Sequence, residues 1–189
     1  MLNIGHKPVP LRIKRTRIKY ARIEVRGKKV YITVPYNYDD IDTFIKKHLI
    51  WIEKKLKEYD LLLEKSRTLK LEHRDRTKFY ITVRNITRSL SMEMGISMPV
   101  IRFRRMRRKW ASMNSNHIMT LNVSINLLPE RLVRYILFHE MCHIIEMSHN
   151  GKFKSLISGK YPYYRKLDIE LRAYWIAIEE YYLNTLSNY

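Results

Sequence analysis

The chain has 189 residues, with 37 Lys+Arg against 18 Asp+Glu and a formal charge of +19 at pH 7. Hydrophobic residues at 46% and aromatics at 12% exclude a disordered, fully solvated chain. No apolar run approaches the roughly 18 residues that a membrane span needs, and a single cysteine, Cys142, permits no internal disulfide. The first residues, MLNIGHKPVP, lack the continuous apolar stretch of a signal peptide. The expectation is a cytoplasmic protein without a membrane partner.

Residues 11–34 read as strands. Ile18, Tyr20, Ile23 and Val25 precede Arg26-Gly27-Lys28, and Val30, Ile32 and Val34 follow in strict alternation. That pattern predicts a hairpin turning at Gly27 and ending at Pro35. Asp39 or Asp40 can cap a helix carrying Ile41, Ile45, Leu49, Ile52, Leu56, Tyr59 and Leu63 at helical spacing. A second helical pattern runs Phe79, Val83, Ile86, Leu90, Met94 and stops at Gly95. A β stretch follows Pro99, with a turn at Asn114-Ser115-Asn116 and a return strand from Ile118 to Val123. Pro129 opens the next helix, LLPERLVRYILFHEMCHIIEMSHN, whose apolar residues occupy nearly every face. Such a helix belongs in the core. A short helix over 152–157, closed by Gly159, and a final one over about 163–186 complete the chain; the last places Leu167, Leu171, Trp175, Ile178 and Tyr182 on one stripe.

The charge is concentrated. Residues 1–34 hold ten Lys/Arg and one acid, Glu24, while residues 99–128 hold six basic residues and no acid. Clustering of this kind suits a polyanion, nucleic acid before membrane. Residues 12–29 and 102–109 are the expected contact segments. The plainer reading, a solvated basic surface, stands beside it.

Chemistry is carried by His139-Glu140-Met141-Cys142-His143, an H-E-x-x-H motif within a predicted helix. Histidines four apart lie about 40° apart around the axis and one turn along it, so both imidazoles can reach one metal. Glu140 points to a neighbouring side of that metal, where a carboxylate can take a proton from water. Chance supplies such a motif only roughly 0.02 times in a chain of this composition. His149, ten positions after His139, is the natural third ligand. On an unbroken helix it would rise roughly 15 Å above His139, too far for a shared ion. The helix must therefore end near Met147, where Ser148, Asn150 and Gly151 tolerate a turn. Three imidazoles with an open position suit a catalytic Zn2+. Metzincins share the spacing but place Gly seven residues after the first His, where this chain has Glu146. Glu146 is instead a candidate for a hydrogen bond to a ligand histidine, with a plain surface role equally open.

The competing readings are bland ones. Histidines on a buried helix are often hydrogen-bonded core residues, but a buried carboxylate beside two imidazoles is costly without a cation. Cys142 reads as packing, not as a nucleophile. His6, His48, His73 and His117 have no partner spacing, and His117, Tyr161, Tyr163 and Tyr164 are weak candidates for oxyanion stabilisation.

With these residues the sequence resembles the YgjP-like metallopeptidases, relatives of the SprT-like proteases and minimal gluzincins. The resemblance runs through Ile32-Thr33-Val34-Pro35, Trp51-Ile52, Arg104 to Trp110, Thr120-Leu121-Asn122, the proline-started H-E-x-x-H helix and Asn150 to Phe153. It implies zinc ligands His139, His143 and His149 with Glu140 as general base. One segment departs from the family pattern: Trp110-Ala111-Ser112-Met113 stands where W-G-S-C is usual.

The expectation is an α+β, zincin-like fold, in which a small antiparallel sheet packs with helices that include the H-E-x-x-H helix. Residues 1–38 form a basic N-terminal β element and residues 39–189 the metallopeptidase domain. The expected activity is zinc-dependent hydrolysis of a peptide or protein substrate, with an edge strand near 117–123 holding it and nucleic acid nearby. Two alternatives remain, a nucleic-acid-binding protein with a non-catalytic zinc site and a metal-dependent phosphoester or nucleotide hydrolase.

Overall fold

Two short segments open the chain: β1 (Leu2–Ile4) and β2 (Lys7–Val9) pair antiparallel as a small ribbon. β3 (Leu11–Arg15), β4 (Arg22–Arg26) and β5 (Lys29–Val34) form a second sheet in the order β3-β5-β4. The computed structural model from which this fold is read describes residues 1–4 and 7–187, so His6 lies outside the described residues. It divides into two compact units, Met1–Lys65 and Ser66–Tyr189.

In the first unit, β4 and β5 make the expected hairpin, with Val25 opposite Val30. Gly27 closes it at φ 57, a left-handed conformation that glycine adopts without a Cβ penalty. The first strand of the hairpin begins at Arg22, so Ile18 and Tyr20 stand outside it. Period-two alternation buries Val30, Ile32 and Val34 on one face of β5. Ile45 and Ile52, seven residues apart on α1 (Ile41–Arg67), complete that core with Val9. Asp40 is the cap: its Oδ1 accepts the Thr43 backbone N–H at 3.0 Å.

The second unit begins its regular structure with α2 (Arg76–Met94), capped by Asp75 at one end and by Gly95, φ 64, at the other. Phe79, Val83, Ile86 and Leu90 form its buried face. β6 (Val100–Arg104), β7 (Ala111–Met113) and β8 (Ile118–Asn122) then make a three-stranded sheet in the order β6-β8-β7. Here the structure corrects the sequence reading in one respect. The turn at residues 114–116 joins β8 to β7, whereas β6 and β8 run parallel. Alternation identifies strands but carries no direction, and an irregular basic loop, residues 105–110, lets the chain cross before β7.

A 3₁₀ turn (Val123–Leu127) leads to α3 (Glu130–Ile145), with Pro129 as the capping residue just before it. Leu132, Val133, Leu137, Met141 and Cys142 are fully buried, as the all-round apolar pattern required. α4 (Gly151–Lys160) runs past Gly159 and ends on the Tyr161 N–H bond to the Ile157 carbonyl. α5 (Tyr164–Ser187) buries Leu171, Tyr174 and Ile178 but leaves Trp175 and Tyr182 half-buried. The architecture is α+β, with the H-E-x-x-H helix packed against the sheet at β7. Among the described residues no helix is long and apolar enough to cross a membrane.

Candidate metal centre

The near-continuous apolar surface of α3 sinks it into the core, and its last two turns present His139, Glu140 and His143. The helix stops after Ile145. Glu146 is extended (φ −146, ψ 107), and its carboxylate accepts the Ser148 backbone N–H at 3.2 Å. Asn150 then caps α4, its side chain accepting the Phe153 N–H at 3.1 Å. These two local bonds reverse the chain and bring His149 back over α3. One ring nitrogen from each of His139, His143 and His149 lies within 4.8 Å of the others. His139 Nε2 and His149 Nε2 are 3.3 Å apart. Two nitrogens bound tetrahedrally to one ion at about 2.0–2.1 Å stand about 3.4 Å apart. The donor set fits a shared metal.

Protonation agrees with that fit. Burial, then the neighbouring His143 and His149, pulls the His139 pKa down to about 4, and burial also lowers that of His143. Imidazoles kept neutral are imidazoles ready to coordinate. His143 Nδ1 lies 3.2 Å from the Glu146 carbonyl, which can only accept, so Nδ1 carries the proton and Nε2 keeps its lone pair. Glu146 therefore orients His143 through its backbone, not through its carboxylate. Phe153 packs against all three imidazoles at ring separations of 4.6–5.0 Å. Spacing alone did not reveal this wall, although Phe153 falls three residues after Asn150 on the next helix.

Glu140 is 9% exposed and hydrogen-bonded to the Met113 backbone of β7. Burial pushes its pKa up to about 7, against the opposing pull of that bond and of Lys109. An open cleft of about 310 Å³ exposes this group, with Lys109, Ser112 and Met113 on one side and His139, His143 and His149 on the other. The segment 117–123 is not the edge strand the sequence suggested, because β8 is hydrogen-bonded on both sides. The edge strand on the cleft is β7. It is through its backbone that Met113 of this strand meets Glu140.

Of the oxyanion candidates, only Tyr164 borders the histidines, in a second cavity of about 120 Å³ with Tyr135 and Asp168. There the Tyr135 hydroxyl donates to Asp168 at 2.6 Å. Tyr161 packs on Tyr135 and Phe138, Tyr163 is exposed, and His117 sits in the β7–β8 turn at φ 54. His48 is bonded to the Phe44 carbonyl and His73 packs on Tyr181. Cys142 is fully buried, its thiol pushed up to about 12 by burial, which is packing behaviour.

Asn122 supplies a function that its sequence position did not disclose. Its Nδ2 donates to the Met106 and Lys109 carbonyls at 2.8 and 2.9 Å, and its Oδ1 accepts from Ser124 at 3.2 Å. This buried amide pins the basic loop to the sheet. Asn122→Ala should cost about 1–3 kcal/mol through the unpaired carbonyls it leaves. Urea unfolding measures that loss, and limited trypsin digestion should show faster cutting between Arg105 and Lys109.

An α+β unit with three converging imidazoles on and after its central helix is the frame of a metallohydrolase. The family pattern described as "YgjP-like, metallopeptidase domain" matches residues 63–174, and the chain belongs to that family. Two solved structures are similar over 48% of this chain. One is the metallopeptidase zymogen of Methanocaldococcus jannaschii jannalysin, at 24% identity over 85% of that chain and a TM-score of 0.43. The other is the metallopeptidase zymogen of Pyrococcus abyssi abylysin, at 26% identity over 90% of that chain and a TM-score of 0.43. No curated protein matches. The chain is a metallopeptidase.

Proposed function

We propose that this metallopeptidase uses Zn2+, held by His139, His143 and His149, with Glu140 as general base for peptide-bond hydrolysis. The observation that carries the reading is the convergence of three imidazole nitrogens within 4.8 Å, beside a buried carboxylate at an open cleft. When bound, the ion supplies Lewis acidity to water and to a peptide carbonyl. Glu140 takes the proton released by the attacking water and returns it to the departing amine. Its carboxylate stays aimed into the cleft because the Met113 N–H holds it from the sheet side. Apart from the Met113 N–H, which Glu140 occupies, the outer edge of β7 offers backbone groups to an extended peptide, the mode in which a substrate adds a strand.

A structural zinc site is less well supported, since such sites close with a fourth protein ligand. The cluster found among the described residues has three members, and Cys142 is buried in the core. Nucleic acid as a partner draws support from the basic residues of 12–29 and 102–109, all of them exposed. A panel of unfolded proteins, nucleotides and nucleic acids, each with and without chelator, tests the substrate class. Peptide cleavage that a chelator abolishes and added zinc restores is the expected result. Turnover of nucleotides with no peptide cleavage would instead favour the phosphoester alternative.

A further inference from the structure

On the second unit, the basic loop and α5 enclose a cavity of about 460 Å³ that shares no lining residue with the histidine cleft. Its volume falls within the roughly 300–1,000 Å³ of small-ligand pockets. Arg105, Arg107, Trp110, Trp175, Glu179 and Tyr182 form its walls. The two indoles meet edge to face at 4.7 Å, and both line the cavity. Trp175 Nε1–H donates to Glu179 at 2.8 Å, which fixes the ring orientation. The Arg105 guanidinium lies over the Tyr182 ring at 5.8 Å. Asn122 holds the loop behind this wall, so the arrangement is built into the fold.

Charge complements the aromatic walls. Arg102, Arg104, Arg105, Arg107, Arg108 and Lys109 are all exposed, and none of them takes part in an ion pair among the described residues. Arginines beside aromatic side chains are what single-stranded nucleic acid uses: phosphates follow the cations while an unstacked base lies on a ring face. A duplex keeps its base faces covered, and an acidic peptide has none. We propose that this cavity is a base-binding pocket for single-stranded nucleic acid. Bases would stack on the rings of Trp175 and Tyr182, with the adjoining phosphates on Arg105 and Arg107. The inference rests on the reading of nucleic acid as a partner and adds the place and the strandedness.

The test titrates the full-length protein with a mixed-sequence 12-nucleotide single-stranded DNA at stepped salt, read by fluorescence anisotropy. Trp175→Leu and Tyr182→Leu should each weaken binding about 5- to 100-fold, because each removes a stacking face and no charge. Their salt slopes should match the parent's. Trp175→Phe, which restores a ring, should recover most of the affinity. Joint replacement of Arg105 and Arg107 by Ala should reduce the salt slope by about 1.4. Circular dichroism identifies any variant that unfolds, and Tyr182→Leu, near the end of α5, serves if Trp175→Leu does. Leu variants that bind like the parent, or displacement of the oligonucleotide equally well by duplex or by poly-glutamate, would overturn the pocket and leave a general polyanion surface. Failure to bind any nucleic acid at low salt removes both the pocket and the nucleic-acid partner, while leaving the peptidase reading untouched.

Discussion

Glu140→Gln is expected to keep about one metal ion per chain while turnover falls by about 10²- to 10⁴-fold, the loss that removing a general base brings. The amide has the volume of the carboxyl and still offers an oxygen to the Met113 N–H, so packing between α3 and β7 should persist. What disappears is a site that accepts a proton. The same substitution carries an independent signature in the metal-free protein. Burial raises the Glu140 pKa from its ordinary 4.5 to about 7, so folding disfavours the ionised form. That penalty is absent below about pH 4.5 and grows as pH rises toward 7. Metal-free Glu140→Gln should therefore gain stability over the parent as the pH rises through that window, while matching it in acid. Turnover equal to the parent's would end the assignment of Glu140 as base.

Replacing His139, His143 or His149 by Ala should abolish both metal retention and hydrolysis if, as proposed, each supplies one of three protein bonds to the ion. Metal content on folded preparations is the direct measurement. Thermal unfolding with and without added zinc gives a second readout. An ion that binds the folded state alone stabilises it by RT ln(1 + [L]/Kd), about 4.1 kcal/mol at a thousandfold excess over Kd. The parent should show that increment and the alanine variants should lose most of it. His149→Ala is the most informative of the three. His149 is exposed and lies outside α3, so of the three its replacement disturbs the core least, the contact with Phe153 being the packing it gives up. Full zinc retention in that variant would place the third ligand elsewhere.

How much of this was legible in the sequence follows from the range of the interactions involved. The Gly27 hairpin, the spans of α1 and α2, the buried character of α3 and the H-E-x-x-H motif all rest on contacts within a few residues. So does the break after Ile145, which Glu146, Ser148 and Asn150 produce through bonds two or three residues long. Such features are written in periodicity and capping. The family resemblance likewise rests on short motifs and agrees with the match over residues 63–174.

Tertiary structure decided what those local rules leave open. Alternation marks β6 and β8 as strands, yet only packing sets them parallel and leaves β7, not residues 117–123, as the edge on the cleft. Asn122 looks like a strand-terminal polar residue until the fold brings the Met106 and Lys109 carbonyls to its amide. Trp110 and Trp175 are 65 positions apart and meet only because α5 returns beside the basic loop. Glu140 and Met113 come together in the same way, through the packing of a helix on a sheet. Sequence by itself determined which groups could bind a metal and move a proton. The long-range packing determined which backbone N–H meets Glu140, which strand edge borders the cleft and which aromatic side chains line one cavity, because those contacts join segments whose separation no local pattern encodes.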